Sequence, residues 1–81
     1  MPQRRNQPYQ DKALLKFGAM VQRLRKSKNW SQEYLAGEIG VDRSYISSLE
    51  RGLRNPTLRT IIEISALFET DLVFAGKSIV E

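Results

Sequence analysis

The stretch that decides the fold is SQEYLAGEIGVDRSYISSLER, residues 31–51. Ser31 is a good N-cap, and Glu33 sits in the first turn of the helix it opens, although a strict capping box fails because Tyr34 occupies its acidic position. That helix is short. Leu35, Ala36 and Ile39 give it one buried face, and Gly40 ends it as a residue tolerant of positive φ. Asp42 offers a second N-cap almost at once. The helix after it carries only Ile46 and Leu49 as aliphatic residues before Gly52 stops it, so Arg43, Ser44, Ser47, Ser48 and Arg51 face outward. A helix so polar has another use for that face.

Two short helices joined by a tight turn, from Gln32 to Arg51, form a helix-turn-helix pattern, with residue types where that geometry needs them. Ala36 is small where the second helix crosses the first, Gly40 takes the turn, and Val41 plugs beneath it. Ile46 and Leu49 pin the second helix of the pair. An αα-hairpin in a small bundle is the plainer alternative; it explains the apolar spacing but not the polar helix.

Upstream, Leu14, Phe17, Val21 and Leu24 form one stripe of an amphipathic helix starting near Asp11. Arg25, Lys26 and Lys28 suit its negative end, Asn29 can adopt a left-handed cap, and Trp30 folds back on the core. Residues 1–10, MPQRRNQPYQ, have nothing to anchor them and read as an arm. Downstream, Leu53 to Asn55 make a basic loop, Pro56 closes it, and Thr57 caps a helix to about Phe68. Its inner face is read as Leu58, Ile61, Ile62, Ser65 and Phe68, which leaves Ile64 and Leu67 outside the stripe. Thr70 and Asp71 then start a fifth helical turn carrying Leu72, Val73 and Phe74 and ending near Gly76, with a short strand as the alternative. The expected architecture is all-α: a five-helix domain over residues 11–76 and a short tail at 77–81.

Composition removes many functions. The chain has 81 residues, too few for two cores, and neither Cys nor His. Disulfides, thiolate metal sites, a Cys nucleophile and the commonest general base are therefore excluded, and no Gly-rich phosphate loop or paired-carboxylate motif replaces them. Neither an enzyme nor a cofactor, metal or small-molecule ligand is expected. The longest apolar run, around Leu72 to Ala75, is far too short to span a bilayer, and residues 1–10 lack the apolar core of a secretory signal. A cytoplasmic protein with no membrane partner is expected. The net charge of +4 fits a polyanionic partner.

The run WSQEYLAGEIGVDRSYISSLERGLRNPTL, residues 30–58, resembles the Cro and phage-repressor class of helix-turn-helix regulators, the Xre family. Within it, DRSYISSLERGLRNPTL followed by TDLVF is most similar to the controller proteins of bacterial restriction-modification systems. The resemblance covers about Phe17 to Phe74. It implies that the start of the recognition helix enters a major groove, placing Arg43, Ser44, Tyr45, Ser47 and Ser48 toward the bases. Of these, Arg43 can bond bidentately to guanine. Tyr45 has three open roles: a thymine methyl, a phosphate, or packing against the turn. The serines are small enough to admit DNA closely, whether they meet base, backbone or water. Gln32 resembles the family's phosphate clamp, and Arg51, Arg54 and Asn55 lie where the loop flanks the sugar-phosphate backbone. Arg25 and Glu50 match a structural ion pair between the first and third helices.

The expected function is a sequence-specific regulator of double-stranded DNA, acting as a homodimer on a palindromic operator. Ile64, Leu67, Leu72, Val73 and Phe74 are surplus apolar residues that suit a dimer surface, unless the C-terminal segment folds over them. The controller resemblance implies control of the protein's own gene and of an endonuclease gene. A phage-type repressor or an antitoxin would use the same helices, and a protein-interaction module of the same fold is the alternative from another class. Arg4 and Arg5 have two possible states: in an adjacent minor groove, or in a disordered tail.

Overall fold

Each helix of the computed structural model, which describes residues 11–69, opens on a side-chain cap supplied by the sequence. Four helices are formed by the described residues: α1 Lys12–Ser27, α2 Gln32–Ile39, α3 Arg43–Glu50 and α4 Leu58–Leu67. Asp11 accepts from the Ala13 and Leu14 amides, Ser31 from Tyr34, Asp42 from Ser44 and Thr57 from Thr60. Each cap satisfies amides that a helix N-terminus leaves without an internal partner. The described residues are thus all-helical, as expected. The arm at residues 1–10, the fifth helical or strand element at 70–76 and the tail at 77–81 lie outside the described residues.

The first three helices end in the same way. Asn29, Gly40 and Gly52 take positive φ values of 60°, 75° and 76°. The following amide then turns back to a helix carbonyl: Trp30 to Arg25, Val41 to Ala36 and Leu53 to Ser48, at 3.1, 2.9 and 2.9 Å. This is the hydrogen-bond pattern of a Schellman termination, which satisfies otherwise orphaned carbonyls. Short helices can therefore follow one another without exposed backbone debts, and the turn after α2 is tight enough to bring α3 across it.

Val21, Leu35, Ile46, Leu49 and Ile64 are fully buried, with Ala36 and Phe68 nearly so. They draw on all four helices. α3 packs against both α1 and α2, and α4 against α2. Where α1 meets α3 the backbones almost touch: a Cβ on Gly18 would run into the Leu49 carbonyl oxygen and come within 2.8 Å of that of Glu50. The Trp30 ring folds back as expected, stacked on Phe68 at 5.3 Å and tilted against Tyr34 at 5.0 Å.

The expected inner face of α4 is wrong by a rotation. Ile61 is half-buried, and Ile64, Ser65 and Phe68 are buried, whereas Leu58 and Ile62 are 62% and 53% exposed. Both stripes have helical spacing, so periodicity alone did not choose between them. The Phe68 stack on Trp30 sets the rotation. Ile64, one turn before Phe68 on the same face, then points into the core. Ile64 is consequently a core residue and not part of a dimer surface. Leu67 is half-buried, and Leu72, Val73 and Phe74 lie outside the described residues.

Candidate nucleic-acid interface

α3 is fixed by one inward edge and offers the rest of its surface. Ile46, Leu49 and Glu50, spaced i, i+3 and i+4, are buried. Arg43, Ser44 and Arg51 are exposed, and Ser47 and Ser48 are partly so. Ser44 donates its hydroxyl to Asp42 Oδ2 at 2.5 Å, while its amide donates to the same oxygen at 2.9 Å. Its proton is thus committed to the cap, and the hydroxyl oxygen faces outward as an acceptor. These hydrogen bonds from Ser44, together with the charge of Arg43, hold the Asp42 carboxyl below its ordinary range.

Behind this face lies a buried ion pair. Arg25 Nε donates to Glu50 Oε2 at 2.6 Å and the terminal NH2 group to Oε1 at 3.0 Å, a bidentate fork. The third guanidinium nitrogen donates to the Trp30 carbonyl at 2.8 Å. Hydrogen bonding to Glu50 and its negative charge raise the Arg25 pKa above its ordinary value, against the opposing effect of desolvation. The expected Arg25–Glu50 pair is therefore present. It joins α1 to α3 and fixes how α3 lies.

The pair extends to the surface through Gln32. The Gln32 amide nitrogen donates to Glu50 Oε1 at 3.0 Å, and its oxygen accepts from Arg43 at 3.2 Å. A carboxylate can only accept, so Glu50 dictates which end of the amide faces it. Gln22 also donates to Glu50 Oε1, at 3.5 Å. Neither Gln22 nor Gly18 is singled out by the sequence reading. A glycine inside an amphipathic helix was the available signal for a close crossing; Gln22 carried none.

The loop after α3 turns back on the helix. Arg54 places its guanidinium 4.6 Å from the centre of the Tyr45 ring. Tyr45 is half-buried against the core, so packing, one of its three open roles, is realised. Arg51 Nε lies 3.4 Å from the Ser47 carbonyl oxygen, and Asn55 is exposed in the same loop. Exposed Arg43, Arg51 and Arg54 thus sit on or beside one small, serine-rich helix. Among the described residues no group of His, Cys, Asp and Glu could hold a metal ion, and no helix is long and apolar enough to cross a membrane.

Comparison with known proteins gives this arrangement a family. A family model described as helix-turn-helix matches residues 21–74, well over half of the chain. The chain belongs to this Xre-like helix-turn-helix family. It is 52% identical over 52 residues to the control protein C.BamHI of Bacillus amyloliquefaciens, a match spanning 63% of this chain and 64% of that protein. The crystal structure of the restriction-modification controller protein C.AhdI from Aeromonas hydrophila superposes with a TM-score of 0.72 at 38% identity, covering 78% of this chain and 96% of that one. The controller protein C.Esp1396I, solved as a tetramer with its natural 35 base-pair operator, gives a TM-score of 0.69 at 33% identity, covering 79% and 84%. The Xre-like helix-turn-helix chain is thus a DNA-binding transcription regulator, close to restriction-modification controller proteins, and not an enzyme.

Proposed function

We propose that this regulator reads a palindromic operator as a homodimer, and that it is the controller of a restriction-modification system, acting on its own gene and on that of the endonuclease. The observation that carries the reading is the polar outer face of α3, built of Arg43 and three serines and held rigid from behind by the Arg25–Glu50 pair. A helix with small side chains at its centre and a cation at its N-terminal end can sit deep in a major groove. Arg43 reads guanine there, Ser44, Ser47 and Ser48 contact base edges or backbone, and Gln32, Arg51, Arg54 and Asn55 take phosphates. One such helix spans few base pairs, so two copies share the site, with half-sites about 34–36 Å apart. Leu67, Leu72, Val73 and Phe74 supply the dimer surface. The controller assignment is supported by the likeness to C.BamHI and C.AhdI.

Alanine variants separate reading from anchoring. On a duplex enriched from a random library by the unaltered chain, Arg43→Ala should lose about 1–3 kcal/mol of discrimination at one base position. Arg54→Ala should weaken binding to all duplexes and reduce the slope of log affinity against log salt by about 0.9. Fluorescence anisotropy across salt concentrations measures both. Equal losses on every sequence for Arg43→Ala would contradict its reading role.

A further inference from the structure

Arg54 is held differently from the other cations of this face. Arg43 donates to Gln32, and Arg51 turns Nε toward a backbone carbonyl of its own helix. Arg54 makes no hydrogen bond among the described residues; its partner is the face of the Tyr45 ring, 4.6 Å away. The ring is a firm platform, because Tyr45 lies in the first turn of α3, donates its amide to the Asp42 carbonyl and packs against the core. Arg54, by contrast, is exposed on a segment outside any helix. Without the ring its long side chain would sample many rotamers.

The chemistry of the contact matters. A guanidinium set over a ring is attracted to the negative face of the π system without pairing its charge with a carboxylate, so its N–H donors are not spent on an ion pair. A salt bridge would have consumed those donors. We propose that Tyr45 is a positioning residue: its ring face holds the Arg54 guanidinium beside the first turn of α3, with the hydrogen-bonding edge open for a phosphate oxygen of the duplex. This rests on the DNA-reading role proposed for α3. It deepens that role by making an α3 side chain act through an arginine nine positions later, not through its own hydroxyl.

A double-mutant cycle tests it, using anisotropy on a duplex enriched from a random library by the unaltered chain. Tyr45→Phe keeps the ring face and should bind within about twofold of the unaltered chain. Tyr45→Leu removes the face and should weaken binding by roughly five- to thirty-fold, because the Arg54 side chain must then give up its rotamer freedom on binding. In the Arg54→Ala background, Tyr45→Leu should cost little more, because the group it positions is gone. If Tyr45→Phe loses as much as Tyr45→Leu, the hydroxyl acts directly and the proposal is overturned. If Tyr45→Leu loses the same factor in both backgrounds, Tyr45 acts by packing alone and the proposal is again overturned. A second readout needs no variant: in the free unaltered chain the Arg54 Cδ protons should show an upfield ring-current shift, and unshifted resonances would count against the contact. Failure of the unaltered chain to enrich any duplex would overturn the DNA-reading role and this inference with it. That result differs from an additive cycle on a duplex that binds, which overturns the inference alone.

Discussion

At the scale of single residues, Glu50 is the most constrained group of the site. Its side chain is 1% exposed and receives donors from Arg25, Gln22 and Gln32. A carboxylate so placed tolerates burial only while those donors remain. Arg25→Ala should therefore cost about 3–5 kcal/mol in urea unfolding, because it leaves Glu50 without its countercharge. A loss below about 1 kcal/mol would mean that the pair behaves as an exposed one. Asp42 gives a test by pH. Its folded pKa is depressed, so the stability it contributes is present above the ordinary carboxylate value and is lost as pH falls through the folded one. The unaltered chain should lose stability more steeply than Asp42→Asn as pH falls below the ordinary range of Asp. Parallel pH profiles of the two midpoints would contradict this.

At the scale of elements, two glycines in adjacent helices predict opposite outcomes. Gly18 in α1 has no room for a Cβ, since backbone carbonyls of α3 occupy the space. Gly37 in α2 has nothing within 4 Å of that position. Alanine raises helix propensity at both by about 1 kcal/mol, yet only Gly37→Ala can keep that gain. Gly18→Ala should destabilise by about 1–3 kcal/mol through overpacking, because rigid backbone cannot yield as a side chain would. Thermal unfolding of both variants checks the pair, and a stabilised Gly18→Ala would refute the close crossing.

The same scale explains what was legible in the sequence. Caps and terminators act locally, so Ser31, Asp42, Thr57, Asn29 and Gly40 could be placed from residue type alone. The polar face of α3 was equally readable, since Ile46 and Leu49 leave only one way to orient it. The rotation of α4 was not, because two apolar stripes overlap and the stack of Phe68 on Trp30, thirty-eight positions away in the chain, decides between them. For the same reason the Gln32 bridge and the contact of Arg54 with the Tyr45 ring are not legible in the sequence. Both depend on where the α2 N-terminus and the loop after α3 come to lie beside α3, which residue types do not encode.

At the scale of the whole molecule, the described residues offer one helix with a polar outer face, α3, which is proposed to read DNA, and a short cationic loop after it. A single helix yields too little discrimination for a genome, because each mismatched base pair costs only about 1–3 kcal/mol. Symmetry is the economical remedy: a second copy doubles the bases read and makes their spacing a further criterion. The exposed Leu58 and Ile62 show that apolar surface remains on α4 after the described core is complete. The interface is proposed to run through Leu67, Leu72, Val73 and Phe74. Glutamate at Leu72 and Phe74 should therefore shift sedimentation toward the monomer and weaken operator binding together. An unchanged distribution would remove these residues from the interface.

The proposed function requires that α3 reads DNA sequence as one half of a symmetric pair. Selection of bound duplexes from a random library tests it most directly, because one experiment reports specificity, symmetry and spacing. The expected result is enrichment of an inverted repeat containing guanine in each half, with half-site centres about 34–36 Å, or 10–10.5 base pairs, apart or at a multiple of that spacing. Binding that is salt-sensitive but enriches no sequence, or a single unrepeated site, would contradict it.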